Sequence, residues 1–210
     1  MSRPLVISDC DEVLLHMVVP FRDWLGEMHG IDFAMEGNDF SNALRNRSNG
    51  KLVAGPDIWR LLNLFFDSEM HRQYPIIGAV EGINRLGQDA DVVILTNLGD
   101  HRQVTRTHQL REVGIEARVF TNLGPKGPAL QAIIAEFAPS HTLFIDDLPQ
   151  HHGSVAEVAP HVTRLHLCGE PLLAPHIGCA HKLGHAHARI DEWEHALPWL
   201  LARLHGENND

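Results

Sequence analysis

Five short apolar runs along the chain predict buried β-strands, because strands that are covered on both faces are apolar at nearly every position. The runs lie at residues 5–8, 91–95, 118–121, 142–145 and 162–167. Helical patterns separate the later runs, over residues 100–113 and 154–158 and at Leu130 to Phe137, where Pro128 suits the first helical turn. Strands that alternate with helices predict an α/β fold with a doubly wound parallel sheet.

A last apolar stripe near the C-terminus predicts a final helix. Its apolar positions are Trp193, Leu197, Leu200, Leu201 and Leu204. We expect Asp191 to cap the N-terminus of this helix, and we expect Pro198 to kink or split it.

Residues 16–77 interrupt the alternation and contain no convincing strand. Phe21, Leu25 and Met28 mark one helix in this region. A second helix around residues 58–66 is apolar nearly all round, which predicts that it is buried or lies at an interface. We therefore predict a core of residues 1–15 and 78–210 with a small helical cap, residues 16–77, inserted between its first and second strands.

Composition narrows the classes of partner. The 210-residue chain has a formal net charge of −10, which argues against a nucleic-acid or anionic-membrane partner. A small anionic substrate remains compatible with this charge if a cation is bound beside it. Three cysteines without a tight pairing, no apparent signal peptide and no apolar stretch of transmembrane length predict a cytoplasmic protein. The pattern does not indicate an oligomeric state.

Polar residues follow four of the predicted strands at the point where each strand ends, which is where open α/β sheets bind ligands. They are Asp9 and Asp11, Thr96 and Asn97, Lys126, and Asp146 and Asp147. Each feature alone is common in turns and caps. Together they supply two acid pairs for a hard cation, a hydroxyl and amide site for phosphate oxygens, and one cationic side chain, which are the requirements of phosphoryl transfer.

These residues occur in the order of four motifs of a known superfamily. The motifs are Asp9-Cys10-Asp11-Glu12-Val13, Thr96-Asn97, Lys126 and Asp146-Asp147. Over residues 4–15 and 78–168 the chain resembles the haloacid dehalogenase-like (HAD) hydrolases, and the long gap between the first two motifs resembles members with a helical cap. The resemblance implies a Rossmann-like core and a phosphatase that depends on Mg²⁺.

The same resemblance implies a role for each residue. Asp9 would attack phosphorus and form an aspartyl-phosphate, and Asp11 would protonate the leaving oxygen and then activate water. Thr96, Asn97 and Lys126 would bind the phosphoryl group. Mg²⁺ would be held by Asp9, the Asp11 backbone carbonyl and Asp147, with Asp146 bonding directly or through water. The substrate class is a small phosphate monoester, such as a nucleotide or sugar phosphate.

One residue departs from the superfamily pattern, and two other functions stay open. Glu12 occupies a position where many relatives have glycine, and we expect its side chain to point away from the site. A dehalogenase would need neither Asp11 nor the acid pair Asp146-Asp147, which argues against that reaction. A non-catalytic protein that binds a phosphometabolite or a partner is the alternative, although none of its motif residues is missing.

The chain has 16 histidines, many of them near the C-terminus. A zinc site formed from His176, Cys179, His181, His185 and His187 would lack a recognisable four-ligand pattern, so we interpret this segment as exposed. We expect surface positions for His151 and His152.

In the predicted cap, large or cationic side chains are candidates for substrate selection. They are Phe21, Trp24, Arg45, Arg47, Trp59 and Arg60. For Trp24 and Trp59 we favour positions in the core of the cap.

Overall fold

The structure, a computed structural model, describes residues 2–34 and 40–206. Its strands are β1 (Leu5–Ser8), β2 (Ile31–Phe33), β3 (Leu44–Asn46), β4 (Asp91–Thr96), β5 (Arg118–Thr121), β6 (Thr142–Asp146), β7 (Thr163–His166) and β8 (Ala188–Arg189). Its α-helices are α1 (Val18–Trp24), α2 (Phe40–Ala43), α3 (Gly55–Ser68), α4 (Ala79–Asp89), α5 (Gln103–Glu112), α6 (Gly127–Phe137), α7 (Pro149–Val158) and α8 (Trp193–Leu204). A π-helical turn at Leu25–His29 follows α1, and 3₁₀ turns lie at Met70–Arg72, Asp100–Arg102 and Ala174–His176.

Six parallel strands form the central sheet in the order β5-β4-β1-β6-β7-β8. In β1, Ile7 is aligned with Val93 of β4 on one side and with Phe144 of β6 on the other. The chain moves outward from β1 to β4 and β5, and then returns to β6 on the other side. The carboxyl end of β1 therefore lies at the switch point of the sheet, where α/β folds bind ligands. The predicted doubly wound α/β fold is confirmed.

Side chains of β1 alternate between two cores, as the two-residue period of a strand requires. Val6 packs in a cluster with residues of α4, α5 and α8, whereas Leu5 and Ile7 pack with residues of α6 and α7. All of these strand residues are fully buried. This packing explains why the strands are recognisable as continuous apolar runs.

Residues 16–77, here called the insert, are not purely helical. Strands β2 and β3 form an antiparallel hairpin in which Ile31 pairs with Asn46, so the prediction of no strand in this region is wrong. Each strand has three residues and buries only its first, Ile31 or Leu44, so no alternating apolar pattern marks it. The insert packs around its own buried aromatic cluster, which includes Phe21 and Phe65 and also Leu98 from the loop after β4.

The helix α3 buries one face rather than its whole circumference. Ile58, Leu61 and Phe65 are buried at helical spacing, whereas Trp59 is 65% exposed. The expectation that Trp59 lies in the core of the insert is therefore wrong, and the expectation for Trp24, which is 3% exposed, is confirmed.

The C-terminal helix differs from its prediction in two ways. Glu192 occupies the N-cap position, while Asp191 accepts hydrogen bonds from Arg189 Nε and from the Cys168 backbone N–H. Helix α8 also continues through Pro198. Burial of Trp193 and Leu200 offsets the cost of an internal proline, which is about 3 kcal/mol.

Among the described residues the cysteines form no disulfide, and no helix could cross a membrane. Cys10 and Cys168 are buried, Cys179 is partly exposed, and all three are free thiols. Within residues 2–34 and 40–206, every helix is too short or too polar to span a lipid bilayer.

Candidate active site

The ends of two neighbouring strands, β1 and β6, bring the predicted acids together. Asp9 follows β1 and donates its backbone N–H to Ile145 O of β6 at 2.8 Å, and Asp146 ends β6. Oxygen atoms of Asp9, Asp146 and Asp147 lie within 4.8 Å of one another. These three acids, here called the acid triad, are all buried.

Lys126, the residue before α6, binds two members of the acid triad. Its Nζ lies 2.8 Å from Asp9 Oδ1 and 2.7 Å from Asp146 Oδ2, and its side chain is 0% exposed. Burial lowers the pKa of Lys126, but Asp146 and Asp9 more than compensate and raise it above its ordinary value, so the amine is charged. Lys126 therefore fixes the position of the Asp9 carboxylate, whose Oδ1 also accepts the Cys10 N–H at 2.6 Å.

One lysine does not neutralise three buried carboxyl groups. Burial raises the pKa of Asp9 to about 7 although Lys126 opposes the shift, and burial together with Asp146 raises the pKa of Asp147 well above its ordinary value. For Asp146, Lys126 outweighs burial and lowers the pKa. A site with only oxygen donors and an excess of negative charge fits a hard divalent cation such as Mg²⁺.

Asp11 has partners that the sequence did not reveal. Arg106 Nη2 of α5 lies 2.9 Å from Asp11 Oδ1 and 3.1 Å from Oδ2, and Gln73 Nε2 donates to Oδ1 at 2.6 Å. Arg106 is fully buried, and its Nη1 contacts Cys10 Sγ at 3.1 Å. Because Gln73 belongs to the insert and Arg106 to the core, Asp11 lies at their junction.

A signal for Arg106 exists in the sequence. Arg102, just before α5, and Arg106, Gln109 and Leu110 within it share the helical spacing that usually marks an apolar face, and all four are buried. Polar side chains at such positions indicate buried polar partners. Arg102 binds Asp67 of the insert at 2.7 Å.

The second motif places an unpaired hydroxyl near the end of β4. Thr96 is fully buried, and its Oγ1 has no hydrogen-bond partner. A buried hydroxyl without a partner is costly, so it fits the binding of a phosphoryl oxygen. Asn97 instead uses its side chain to fix a loop: its Nδ2 donates to Gly124 O at 2.9 Å, and its Oδ1 accepts from Asn122 Nδ2 at 2.8 Å. That loop precedes Lys126.

The two histidines after the acid triad are buried, so the prediction of surface positions for them is wrong. His152 Nε2 lies 2.9 Å from Asp146 O, and His151 Nε2 lies 3.4 Å from Asn97 Nδ2. Burial lowers the pKa of His152 to about 4, so this ring is neutral at pH 7 and donates through Nε2. Helix α7 begins at Pro149, five residues before the predicted start, and this carries both rings inward.

Glu12 adopts a backbone conformation that normally favours glycine, with φ at 59°. Its Oε1 accepts hydrogen bonds from the backbone N–H groups of Met17 and Val18, at 2.9 and 2.5 Å, where α1 begins. The side chain therefore reaches toward the insert.

The C-terminal histidines do not gather around a metal position. Within residues 2–34 and 40–206, two groups of three potential ligands are close enough to share an ion, and neither includes residues 176–187. His181 Nδ1 instead contacts Ala186 O, and His187 Nδ1 accepts the Arg164 N–H.

Known structures share this fold at low sequence identity. A conserved haloacid dehalogenase-like protein from Agrobacterium tumefaciens is 17% identical, with a TM-score of 0.69 over 96% of this chain and 98% of that chain. A HAD family hydrolase from Deinococcus radiodurans with bound phosphate and sodium is 19% identical, with a TM-score of 0.63 over 96% of each chain. A HAD-hydrolase from Bacillus subtilis bound to magnesium is 16% identical, with a TM-score of 0.62 over 95% of this chain and 99% of that chain.

No protein-family model matches the chain, and no curated protein is similar to it in sequence. The structural likenesses show that the chain has the fold of the HAD-like hydrolases.

Proposed function

We propose that the protein is a Mg²⁺-dependent hydrolase of a small phosphate monoester and that Asp9 is its nucleophile. The observation that carries this proposal is the buried arrangement in which Lys126 holds Asp9 against Asp146, next to Asp147. The unpaired Thr96 hydroxyl adds a donor for a phosphoryl oxygen. A structural relative holds phosphate and another holds magnesium, which supports the same chemistry for this chain.

Asp9 and Asp147 would hold the cation, with Asp146 bonding directly or through water and the Asp11 carbonyl contributing a further oxygen. Mg²⁺ would supply positive charge to the phosphoryl oxygens and to the carboxylate that faces them. Lys126 would contribute a second positive charge beside Asp9.

The chain's own residues then account for each bond that changes. An Asp9 oxygen forms a bond to phosphorus while the ester oxygen leaves, and Asp11 gives that oxygen a proton. Asp11 next takes a proton from water, whose oxygen displaces Asp9 and releases inorganic phosphate.

Asp11 cannot perform this role while both of its oxygens accept hydrogen bonds from Arg106. The proposal therefore requires Asp11 to leave Arg106 during the cycle. Gln73 links that step to the insert, because movement of the insert would withdraw one hydrogen bond from Asp11. The Bacillus subtilis relative shows interdomain movement, which supports such a step.

The direct test is hydrolysis of a panel of nucleotide and sugar phosphates with Mg²⁺ and with excess chelator. We expect release of inorganic phosphate that stops on chelation and returns when Mg²⁺ is restored. Acid-quenched protein should carry a phosphoryl group on Asp9. Turnover that continues in chelator, or a phosphoryl group on another residue, would contradict the proposal.

The alternative of a non-catalytic binding protein predicts that phosphometabolites bind without turnover. Calorimetric binding of a panel member that is not hydrolysed over hours would favour this alternative.

A further inference from the structure

A second group of potential metal ligands lies at the junction of the core and the insert. Glu12 follows β1, His16 begins the insert, and Glu170 follows β7; their exposed fractions are 2%, 8% and 4%. One ligand atom from each lies within 4.8 Å of the other two. These three residues, here called the junction cluster, are separate from the acid triad.

Hydrogen bonds orient both carboxylates of the junction cluster. Glu12 Oε1 accepts two N–H groups at the start of α1, and Glu170 Oε1 accepts the Leu172 N–H at 2.8 Å. Glu170 Oε2 contacts His16 Nδ1 at 2.8 Å. The other oxygen of Glu12, Oε2, is enclosed and has no hydrogen-bond partner. A buried carboxylate oxygen without a partner fits a position that binds a cation.

The charge of the junction cluster also favours a cation. Two carboxylates and one imidazole meet in a buried space. A bound cation would neutralise this excess of negative charge.

We propose that the junction cluster binds a divalent transition metal ion, for which Zn²⁺ is the natural probe, through Glu12, His16 and Glu170. An imidazole nitrogen with two carboxylates is a donor set that Zn²⁺ accepts, with water at a fourth position. The acid triad offers only oxygen donors and suits Mg²⁺. The two clusters therefore differ in the ion that each selects.

An ion at this position would fasten the insert to the core. His16 and Tyr74 lie near the two ends of the insert, and the His16 backbone N–H donates to Tyr74 O at 2.9 Å. Glu12 precedes the insert in the chain and Glu170 follows it, so both belong to the core. His16 also lines a cleft of about 1060 Å³ together with Cys168, Gly169 and Trp193.

The test is calorimetric titration with Zn²⁺ in the presence of excess Mg²⁺, which keeps the acid triad occupied. We expect the wild-type chain to bind one Zn²⁺ at the junction, and we expect His16→Ala and Glu170→Gln each to weaken that binding about tenfold or more. The matched control is His71→Ala, which removes an exposed histidine of the insert and should leave the affinity unchanged. Circular dichroism of each variant checks folding, and Glu170→Gln decides the matter if His16→Ala does not fold.

Anomalous diffraction at the zinc edge locates the ion directly. A peak among Glu12, His16 and Glu170 supports the proposal. Three outcomes would overturn it: a wild-type chain without Zn²⁺ affinity, a wild-type affinity in both His16→Ala and Glu170→Gln, or an anomalous peak only elsewhere. None of these outcomes depends on phosphatase activity, so the proposal fails or stands separately from the proposed function.

Discussion

The carboxyl edge of the central sheet and the insert both carry many charged side chains, but the two regions expose them to very different extents. At the edge, Lys126 and Asp9 form an ion pair with side chains 0% and 9% exposed. In the insert, Arg47 and Asp32 form a pair with side chains 58% and 60% exposed. Water screens the second pair and not the first. The two pairs therefore contribute differently to stability although their N–O distances are nearly equal, 2.8 and 2.7 Å. The comparison is consistent with the proposed chemistry at the edge, and we propose that the insert contributes to substrate selection.

Removing the nucleophile should produce the largest effect. We expect Asp9→Asn to lower turnover on the order of 10⁴-fold or more with every leaving group, because an amide neither attacks phosphorus well nor binds a cation well. Initial rates of phosphate release measure the loss. Asp32→Asn of the insert is the matched control and should keep wild-type rates. An active Asp9→Asn protein would show that Asp9 is not the nucleophile.

Removing the proton shuttle should cost less, and the cost should depend on the substrate. We expect Asp11→Asn to slow alkyl phosphates by about 10²–10⁴-fold and nitrophenyl phosphate by less, because a good leaving group departs without a proton. Rates across a series of leaving groups test this slope. An equal loss for all esters would mean that Asp11 serves structure through Arg106 rather than proton transfer.

The stability difference between the two regions can be measured through their ion pairs. Lys126→Met should lower the free energy of unfolding by about 3–5 kcal/mol, because it leaves Asp9 and Asp146 buried without their counter-charge. Arg47→Met should change it far less, because water already screens that pair. Urea unfolding of both variants at pH 8 without metal gives the comparison. Similar values would contradict the contrast between buried and exposed charge.

The raised pKa of Asp9 predicts that cation binding depends on pH. Its carboxyl group holds a proton below about pH 7 in the metal-free protein, and Mg²⁺ must displace that proton. Affinity should therefore fall by up to about tenfold per pH unit below 7 and level off above it. In the metal-free protein the free energy of unfolding should fall as pH rises from 3.8 to about 7, because the unfolded chain releases the Asp9 proton at a lower pH than the folded protein does. Calorimetry at pH 6 and pH 8 is the measurement, and equal Mg²⁺ affinities would contradict it.

The smallest effects are expected at exposed positions of the insert. We expect Trp59→Ala, Arg45→Ala and Arg47→Ala to change the preference among substrates by several-fold while sparing a small generic ester, since remote contacts supply binding energy rather than chemistry. Ratios of kcat/KM across the panel measure this. Unchanged ratios in all three variants would show that these positions do not contact the substrate.

The sequence predicts the sheet well because its strands are buried on both faces. All five apolar runs form strands, and Leu5 to Ser8 is central to the sheet as well as to the candidate site. The strands that the sequence misses are short: β8 has two residues, and each hairpin strand of the insert buries one. Burial, rather than strand geometry itself, produces the recognisable pattern.

For the candidate site, positions at strand ends are predictable and partners from other elements are not. Asp9, Asp146 and Asp147 meet because parallel strands end at one edge. Arg106 and Gln73 reach Asp11 from a helix and from the insert, and this depends on how these pieces pack together. A single-sequence pattern contains no direct measure of that packing.

The environments of the three cysteines make the chain accessible to selective thiol chemistry. Burial raises the pKa of the Cys10 and Cys168 thiols, so both stay protonated and shielded from alkylating reagents. Cys179 is partly exposed on the cleft that His16 also lines. A maleimide dye should therefore attach to the folded wild-type chain at Cys179 and report on the cleft beside His16 without any engineered cysteine.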